Sequence, residues 1–334
     1  MEKLKTVDAD TLMTTPLPAI RYVVDQLLPQ GPHILAGAPK VGKSWLALWL
    51  CLCVSKGDTV WGFSTEQNPV LYLCLEDSYA RIQSRLFLLT EDAPPTLHFA
   101  NLSDSIGSGL EEQIREFLSA HPQTKLVVID TLQKVRRSIP DANPYANDYR
   151  DLSALKQLAD QNHIAVLLIH HLRKMNDDDP LNMISGTTGI SGATDSSFVL
   201  KPDKRGSDRA TLYCTGRDIE YRELLLEFKK DTHTWELIEN VELEIPRQDP
   251  QVFFLSEFLR GLGTFDGTAT QLSELLEQAT GEQMLPAALA KKLVRFISEL
   301  DKAGIHITSS RTRDSRLLHI VCDGSDGNDG KSAC

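Results

Sequence analysis

Short apolar runs alternate with amphipathic segments along the first 240 residues of the chain. The runs have the length of strands, and we predict strands at 33–36, 70–75, 125–130, 164–169, 197–200, 210–214 and 224–228. The segments at 81–89, 110–118 and 149–162 carry apolar residues every three or four positions, which is typical of helices. Near-continuous apolar strands that alternate with helices predict an α/β fold with a mostly parallel central sheet, and the closely spaced strands near 197–238 predict a β-rich edge.

The pattern changes after residue 244, where two prolines and several charges at 245–250 are typical of a linker. Beyond it, helical patterns precede two short alternating stretches at 306–309 and 316–321. The predicted helices are at 252–262, 269–279 and 287–303. Three helices followed by a hairpin predict a small C-terminal winged-helix-like domain. The resulting domains are an N-terminal lead at 1–30, an α/β domain at 31–244, a linker at 245–250, a winged-helix-like domain at 251–322 and a disordered tail at 323–334.

Composition and charge narrow the class of protein. Of the 334 residues, 41% are hydrophobic and 24% are charged, as in folded globular proteins. No apolar run approaches the length of a membrane-spanning helix, and the N-terminus lacks the features of a signal peptide, so we expect a cytoplasmic protein. The six cysteines lack paired C-x-x-C spacing, which favours reduced thiols over disulfides or a metal site. Because the net charge is −11, nucleic-acid contacts would have to come from local basic patches.

A glycine-rich segment between the first strand and an apolar helix matches the pattern G-x-x-x-x-G-K-[ST]. Such a loop directs backbone N–H groups and a helix N-terminus at an anion. We expect Lys43 to bridge the β- and γ-phosphates of ATP and Ser44 to hold Mg²⁺, and a helix-capping glycine loop is the alternative. The expected nucleotide-binding residues are Gly37, Ala38, Pro39, Lys40, Val41, Gly42, Lys43, Ser44 and Trp45.

Two of the apolar strands end in acidic residues. One ends at Asp130, as in a Walker B strand, whose carboxylate orders the water shell of Mg²⁺. The other leads into Glu76 and Asp77. Glu76 is the candidate general base for the attacking water, and Asp77 is the expected cap of the next helix. The alternative is that Asp130 and Glu76 have no catalytic role and cap the following turn or helix.

A third strand, at 164–169, leads into His170 and His171. A polar side chain at this strand end can touch the γ-phosphate and report its presence to the following loop. We favour His170 over His171, because the first residue past a strand stays near the sheet edge. A histidine that is simply buried in the core or exposed at the surface is the alternative.

The order of these features resembles the RecA-like ATPase core, and most closely the RepA-like branch of hexameric replicative helicases. The resemblance rests on the P-loop and on the strands that end in Glu76, Asp130 and His170, and it covers about residues 15–240. It implies that ATP hydrolysis is carried by Lys43, Ser44, Glu76, Asp130 and His170.

The same resemblance implies an arginine finger near the end of a late strand, which reaches the ATP site of the neighbouring subunit. Arg217 follows the predicted strand at 210–214 and matches that position. Arg205 and Arg209, in the loop before this strand, are rival candidates. The alternative for Arg217 is a surface ion pair, which contributes little.

In this family, DNA is contacted by loops that face a central channel. The resemblance places the first loop after the Walker B strand, with Lys134, Arg136 and Arg137, and the second at 181–194, which is rich in Gly, Ser and Thr. Neither loop offers aromatic side chains for base stacking. Ordinary solvated loops are the alternative.

Basic residues of the C-terminal domain concentrate on its third predicted helix and the turn that follows. They include Lys291, Lys292, Arg295, Arg311 and Arg313. This distribution fits a recognition helix in the major groove with a basic wing on the DNA backbone. A winged helix used only for protein contacts is the alternative.

Together these features predict an ATP-dependent helicase or translocase that acts on single-stranded DNA. The resemblance implies a homo-hexamer that replicates a plasmid or other mobile element, with a primase or a replication initiator as partner. Two other functions stay open, a filament-forming recombination or repair ATPase and an ATP-switched DNA-binding regulator.

Overall fold

The computed structural model describes residue 4 and residues 6–136, 144–172, 180–184, 188–204, 206–240, 249–311 and 315–323. The chain divides into two compact units. The large unit comprises residues 21–243, and the small unit combines the described residues of 1–20 with those of 244–334. The lead that we expected at 1–30 is therefore divided between the two units.

The helices and strands of the described residues follow one another closely. In chain order they are α1 (Ala9–Thr14), β1 (Tyr22–Val24), β2 (Leu28–Pro29), β3 (Gly31–Gly37), α2 (Lys43–Lys56), β4 (Val70–Cys74), α3 (Tyr79–Leu89), β5 (Leu97–Ala100), α4 (Leu110–Ala120), β6 (Leu126–Asp130), α5 (Leu132–Val135), α6 (Pro144–Asn162), β7 (Ala165–His171), a 3₁₀ turn (Pro180–Met183), α7 (Thr188–Ala193), β8 (Ser196–Pro202), β9 (Arg209–Gly216), β10 (Arg222–Lys229), β11 (Thr234–Asn240), α8 (Pro250–Leu262), β12 (Thr264–Thr268), α9 (Ala269–Thr280), α10 (Pro286–Arg295), α11 (Ile297–Lys302), β13 (Ile305–Arg311) and β14 (Arg316–Cys322).

Within the described part of the large unit, nine strands form one sheet in the order β11-β10-β9-β8-β3-β7-β6-β4-β5. The six strands from β8 to β5 are parallel, and β9, β10 and β11 add an antiparallel edge. β3 lies in the middle, between β8 and β7. The predicted α/β class with a mostly parallel central sheet is confirmed.

Two hydrophobic cores cover the two faces of this sheet. Successive residues of a strand point to opposite faces, so Leu35 of β3 enters one core and Ile34 enters the other. The first core contains the buried side chains of α2, and the second contains those of α4 and α6. The two-sided cover explains why the central strands are continuously apolar in sequence.

The sequence pattern did not predict four short strands, β1, β2, β5 and β12. They are two to five residues long. An alternating or continuous apolar pattern needs more residues than this to stand out from its surroundings. β5 extends the sheet beyond β4, and β1 pairs with β2 in a separate hairpin.

The small unit packs four helices, α8 to α11, with an antiparallel sheet whose order is β12-β14-β13. The predicted third helix at 287–303 is two helices, α10 and α11. The backbone leaves helical angles between them at Phe296, whose side chain is buried in the core of the small unit. Most of the predicted tail at 323–334 lies outside the described residues.

No helix in the described ranges is long and apolar enough to cross a membrane. In the same ranges, His, Cys, Asp and Glu side chains form no group of three or more that is arranged to hold a metal ion. Cys51, Cys53, Cys74, Cys214 and Cys322 are buried, and none of these five forms a disulfide bond.

Candidate nucleotide-binding site

The glycine-rich segment forms a loop between the end of β3 and the start of α2. Gly42, directly before α2, has a φ of 98°, a left-handed value that favours glycine. Lys40 also has a positive φ, of 66°. The first N–H groups of α2 have no partners within the helix, so the loop closes around an N-terminus suited to bind an anion.

Lys43 lies beneath this loop, and only 4% of its surface is exposed. Its Nζ donates hydrogen bonds to the carbonyl oxygens of Gly37 (2.9 Å) and Ala38 (3.0 Å). Burial lowers the pKa of Lys43 to about 8, and the negative charges of Asp130 and Glu76 oppose this effect. The ammonium group is therefore desolvated and held where phosphate oxygens would replace the two carbonyl oxygens.

Asp130 ends β6, next to Cys74 of β4 in the parallel register. Its Oδ2 accepts a hydrogen bond from the Tyr72 hydroxyl group (2.8 Å). Burial raises the pKa of Asp130, and the hydrogen bonds from Ser44 and Tyr72 oppose that shift. The hydroxyl group of Ser44 and the carboxylate of Asp130 thus meet at one point, and hard oxygen atoms of this kind fit Mg²⁺.

Glu76 lies beside Asp130 at the carboxyl edge of the sheet, because the Leu75 N–H donates to the Asp130 carbonyl oxygen (2.9 Å). The Glu76 side chain is exposed, and its Oε1 accepts a hydrogen bond from the Thr131 hydroxyl group (3.1 Å). Thr131 itself is only 2% exposed. A buried threonine therefore orients the carboxylate that we expected to act as general base, and the sequence analysis missed it.

Asp77 does not cap α3, contrary to our expectation. The N-cap is Ser78, whose hydroxyl oxygen accepts from the Arg81 N–H. The Asp77 carboxylate instead pairs with the guanidinium groups of Arg81 (2.7 Å) and Arg85 (2.6 Å). Two cations thus engage Asp77, whereas its neighbour Glu76 faces the phosphate site.

His171, rather than His170, lies beside the P-loop lysine. β7 continues through His171, so the alternation of the strand sends the two histidines to opposite faces of the sheet. The Nδ1 atom of His171 is 3.3 Å from Nζ of Lys43, whereas His170 shares the face of Leu168 and is buried. We placed the end of the strand two residues too early, which reversed the choice between the histidines.

An aromatic cluster on the β10–β11 hairpin covers the start of α2. The ring of Trp45 lies 4.8 Å from that of His233, and the Arg85 guanidinium lies 5.3 Å from the Trp45 ring centre. The Trp235 indole packs against Gly42 and donates to its carbonyl oxygen (3.4 Å). Apart from Trp45, these residues were not predicted, because they come from segments far from the P-loop in sequence.

Arg217 lies at the sheet edge opposite the P-loop of its own chain. β9 runs antiparallel to β8, so Gly216 pairs with Ser196, which in turn pairs with His33 near the start of β3. β3 is seven residues long, and the P-loop begins at its other end. At about 3.3 Å per residue, roughly 20 Å separates the two ends.

The arginine candidates differ in their partners. The Arg217 side chain is 60% exposed, and its Nη1 lies 3.3 Å from Oδ1 of Asp195. Arg209 lies 3.5 Å from Glu227 on the neighbouring strand β10. Arg205 lies outside the described residues.

The first expected DNA loop divides into an exposed and an engaged part. Lys134 is exposed on α5. Arg136, in contrast, pairs with the buried carboxylates of Asp148 and Asp151 on α6, so our expectation of a phosphate contact conflicts with its position in the fold. Two desolvated acids require this cation, and the sequence pattern contains no sign of them. Arg137 lies outside the described residues.

The second expected loop, at 181–194, contains a 3₁₀ turn and the short helix α7. Residues 185–187 lie outside the described residues. Ile190 and Ala193 of α7 are buried in the core on the α6 side of the sheet. This segment is therefore less exposed than its small and polar composition indicates.

The basic residues of the small unit are spread over several surroundings. Lys291 of α10 pairs with Asp10 of α1 (2.9 Å). Arg295 is exposed, and its guanidinium lies 5.2 Å from the ring centre of Phe296. Lys292 is half-buried and Arg311 is exposed at the end of β13, whereas Arg313 lies outside the described residues.

Comparisons with known proteins bear on the fold of the chain. The fold is similar to a solved structure described as an "ATPase Domain", with a TM-score of 0.53, 14% identity, and coverage of 63% of this chain and 85% of that chain. It is also similar to "The Structure Of A DnaB-Like Replicative Helicase And Its Interactions With Primase", with a TM-score of 0.53, 14% identity, and coverage of 65% of this chain and 58% of that chain. This chain thus spans less than two thirds of the second structure.

A search of curated proteins finds no match. The structural likeness confirms the RecA-like P-loop core that the sequence predicted. A family model described as "AAA domain", AAA_25, matches residues 1–177, which is just over half of the chain. Membership of a P-loop ATPase family implies nucleotide binding, for which Mg²⁺ is the usual companion. The chain belongs to the AAA_25 family of AAA domains.

Proposed function

We propose that this protein hydrolyses ATP to move along single-stranded DNA and unwind duplex DNA in the cytoplasm. The observation that carries the proposal is the convergence of Lys43, Asp130 and Glu76 at one sheet edge. A buried cation, a buried acid and an oriented exposed acid are the groups that phosphoryl transfer to water requires. The likeness to a solved structure described as a DnaB-like replicative helicase supports helicase action among the many functions of this fold.

The residues of the site divide the work of hydrolysis. Lys43 and the N–H groups at the start of α2 bind the β- and γ-phosphates of ATP. Ser44 and Asp130 would hold Mg²⁺, which neutralises charge that develops on the phosphate oxygens. Glu76, oriented by Thr131, accepts the proton of the attacking water.

Arg217 completes the site from a neighbouring subunit. Its place at the opposite sheet edge keeps it from the nucleotide of its own chain, because β3 spans roughly 20 Å from its start to the P-loop. A closed ring, which we propose to be a hexamer, brings this edge of one subunit to the P-loop of the next. His171 then links the phosphate site, through β7, to the segment that carries the second DNA loop.

DNA contacts in the large unit come from Lys134 and from the segments around it. Arg137 and the second loop remain proposed contacts, whereas Arg136 acts indirectly by fixing α6 beside the first loop. A winged-helix role for the small unit is supported by its order of helices and strands. One similar structure is described with primase, and we propose a primase or a replication initiator of a plasmid or mobile element as partner.

The first experiment measures Mg²⁺-dependent ATP hydrolysis with and without single-stranded DNA, together with the mass of the assembly. Lys43→Ala and Glu76→Gln should each lose at least 100-fold in turnover, because each removes a group that stabilises the transition state. Glu66→Gln is the matched control, since Glu66 is an exposed glutamate outside the site. Full DNA unwinding by Lys43→Ala, or turnover that ignores single-stranded DNA, would contradict the proposal.

An ATP-switched DNA-binding regulator is the second candidate. The involvement of Arg136 in internal ion pairs favours it, because the first loop then offers fewer cations to a DNA strand. If the protein is a helicase, Lys134→Ala should lower the stimulation of ATP turnover by single-stranded DNA. The regulator instead requires that Lys43→Ala still binds a specific duplex, and that Arg295→Ala weakens this binding and its dependence on salt.

A further inference from the structure

A buried acidic side chain lies at the base of Arg217. Asp195 stands between α7 and β8, and its side chain is 8% exposed. Its backbone N–H donates to the Pro32 carbonyl oxygen at the start of β3 (2.8 Å). Its own carbonyl oxygen accepts from the Arg217 N–H (2.8 Å). Asp195 thus joins the start of β3 to the residue that follows β9.

Two glycines make room for this residue. A Cβ atom on Gly31, which has a φ of +113°, would lie 2.4 Å from Oδ2 of Asp195. A Cβ atom on Gly216 would lie 2.8 Å from the Asp195 carbonyl oxygen and 2.4 Å from Oγ of Ser196. Any other side chain at either glycine would therefore displace Asp195 or its neighbour. Gly31 thus leaves room for the Asp195 carboxylate, and Gly216 leaves room for the Asp195 carbonyl oxygen and for Ser196.

Two cations share the Asp195 carboxylate unequally. Nζ of Lys156 lies 3.0 Å and 2.8 Å from its two oxygen atoms. Arg217 is more distant, with Nη1 3.3 Å from Oδ1. A guanidinium group has five N–H donors in a planar fork, and the Arg217 side chain is 60% exposed, so donors remain to bind phosphate oxygens.

We propose that Asp195, held by Lys156, is a positioning residue that orders Arg217 for contact with the nucleotide of a neighbouring subunit. This inference rests on the proposed role of Arg217. A long, largely exposed side chain samples many rotamers. The conformational entropy that it loses when it becomes ordered opposes its insertion into a phosphate site. The contact of Nη1 with Asp195 restricts the Arg217 side chain before the subunits meet, so less entropy is lost on insertion. Lys156 holds the Asp195 carboxylate in place.

The test compares steady-state ATP turnover of Asp195→Asn, Arg217→Ala and the unaltered chain. Asp195→Asn keeps the shape of the side chain and removes its charge. It should lower kcat about tenfold while the KM for ATP changes less than twofold, because the P-loop is intact. Glu111→Gln is the control, since Glu111 is a comparably buried acid that accepts from the Gly107 N–H, away from the site. It should keep the kcat of the unaltered chain.

A mixing experiment separates positioning from simple loss of structure. Lys43→Ala subunits have no working ATP site but keep Asp195 and Arg217. Added in excess to Asp195→Asn subunits, they should restore the turnover per intact ATP site about tenfold, and they should rescue Arg217→Ala in the same way. A variant that is merely misfolded gains nothing from such neighbours.

The outcomes distinguish the inference from the function on which it rests. If Arg217→Ala keeps its turnover, the proposed role of Arg217 is wrong. If Arg217→Ala loses activity and is rescued by mixing, but Asp195→Asn matches the unaltered chain, only the inference is wrong. Should Asp195→Asn fail to fold, Lys156→Gln supplies the test. It should lower kcat about threefold with an unchanged KM, and Lys156→Arg should restore it. Unchanged turnover in Lys156→Gln would also overturn the inference.

Discussion

Removal of the Tyr72 hydroxyl group tests the buried part of the nucleotide site. Tyr72 is almost wholly buried, and its hydroxyl group donates to the Asp130 carboxylate at 2.8 Å. Tyr72→Phe keeps the ring in the core but leaves a desolvated acid with one donor fewer. Hydrogen bonds to charged groups contribute about 1.5–3 kcal/mol, so we expect a loss of about 2 kcal/mol in the free energy of unfolding at neutral pH.

Thermal unfolding of the nucleotide-free protein measures this loss. In a domain of this size, about 2 kcal/mol corresponds to a decrease in Tm of roughly 4–8 °C. Tyr22→Phe is the matched control, because the Tyr22 hydroxyl group donates to a neutral acceptor, the Asp218 carbonyl oxygen (2.7 Å). We expect a loss of about 1 kcal/mol or less for this variant.

The pH dependence gives the same prediction a second test. Burial raises the pKa of Asp130 above its ordinary value, so the unfolded chain ionises first as pH rises. The cost of the ionised carboxylate is absent below the unfolded pKa, grows as pH rises from the unfolded pKa to the folded pKa, and is constant above it. The difference between Tyr72→Phe and the unaltered protein should therefore shrink in acid. A difference that is independent of pH, or no larger than that of Tyr22→Phe, would refute the reasoning.

Three further predictions concern backbone strain, charge burial and ligand affinity. Gly42→Ala should abolish nucleotide binding in an equilibrium titration and destabilise the protein more than the control Gly62→Ala. Both glycines have a positive φ, but of the two only Gly42 would place its Cβ atom against a ring, that of Trp235, at 3.1 Å. Arg136→Ala should lower the free energy of unfolding by about 3–5 kcal/mol in chemical denaturation, since it removes a cation that two buried aspartates share. A loss near zero would contradict the assigned ion pairs. Because the pKa of Lys43 is about 8, the affinity for a non-hydrolysable ATP analogue should fall up to tenfold per pH unit above that value. An affinity that does not change from pH 7 to 9 would contradict this expectation.

Sequence reasoning located the elements whose signal is local. The P-loop carries its pattern within eight adjacent residues, Gly37 to Ser44, and the structure places this segment between a strand and a helix as predicted. Strands buried on both faces show as continuous apolar runs, which made the mostly parallel central sheet predictable. The carboxyl ends of parallel strands meet at one edge, and Glu76 and Asp130 are neighbours there for this reason.

What sequence reasoning missed depends on contacts between distant segments. Tyr72 and Trp235 reach the site from a strand interior and from a hairpin, and no spacing rule connects them to the P-loop. The choice between His170 and His171 depended on where β7 ends, and strand boundaries are the least certain part of a sequence reading. The partners of Arg136 lie on α6, so its sequence neighbours alone made it resemble a DNA contact.

The sheet topology divides the proposed catalytic machinery between two copies of the chain. β3 leads into the P-loop at one end. Arg217 lies near the level of its other end, with β8 between them, and an extended strand of seven residues keeps the two ends apart. In the proposed assembly, a single chain therefore holds the phosphate-binding half of one site and the arginine of another. Turnover that requires Arg217 should rise more steeply than protein concentration under dilute conditions, because both halves must meet. Residual turnover of Arg217→Ala should instead stay proportional to concentration, since Lys43, Asp130 and Glu76 belong to one chain.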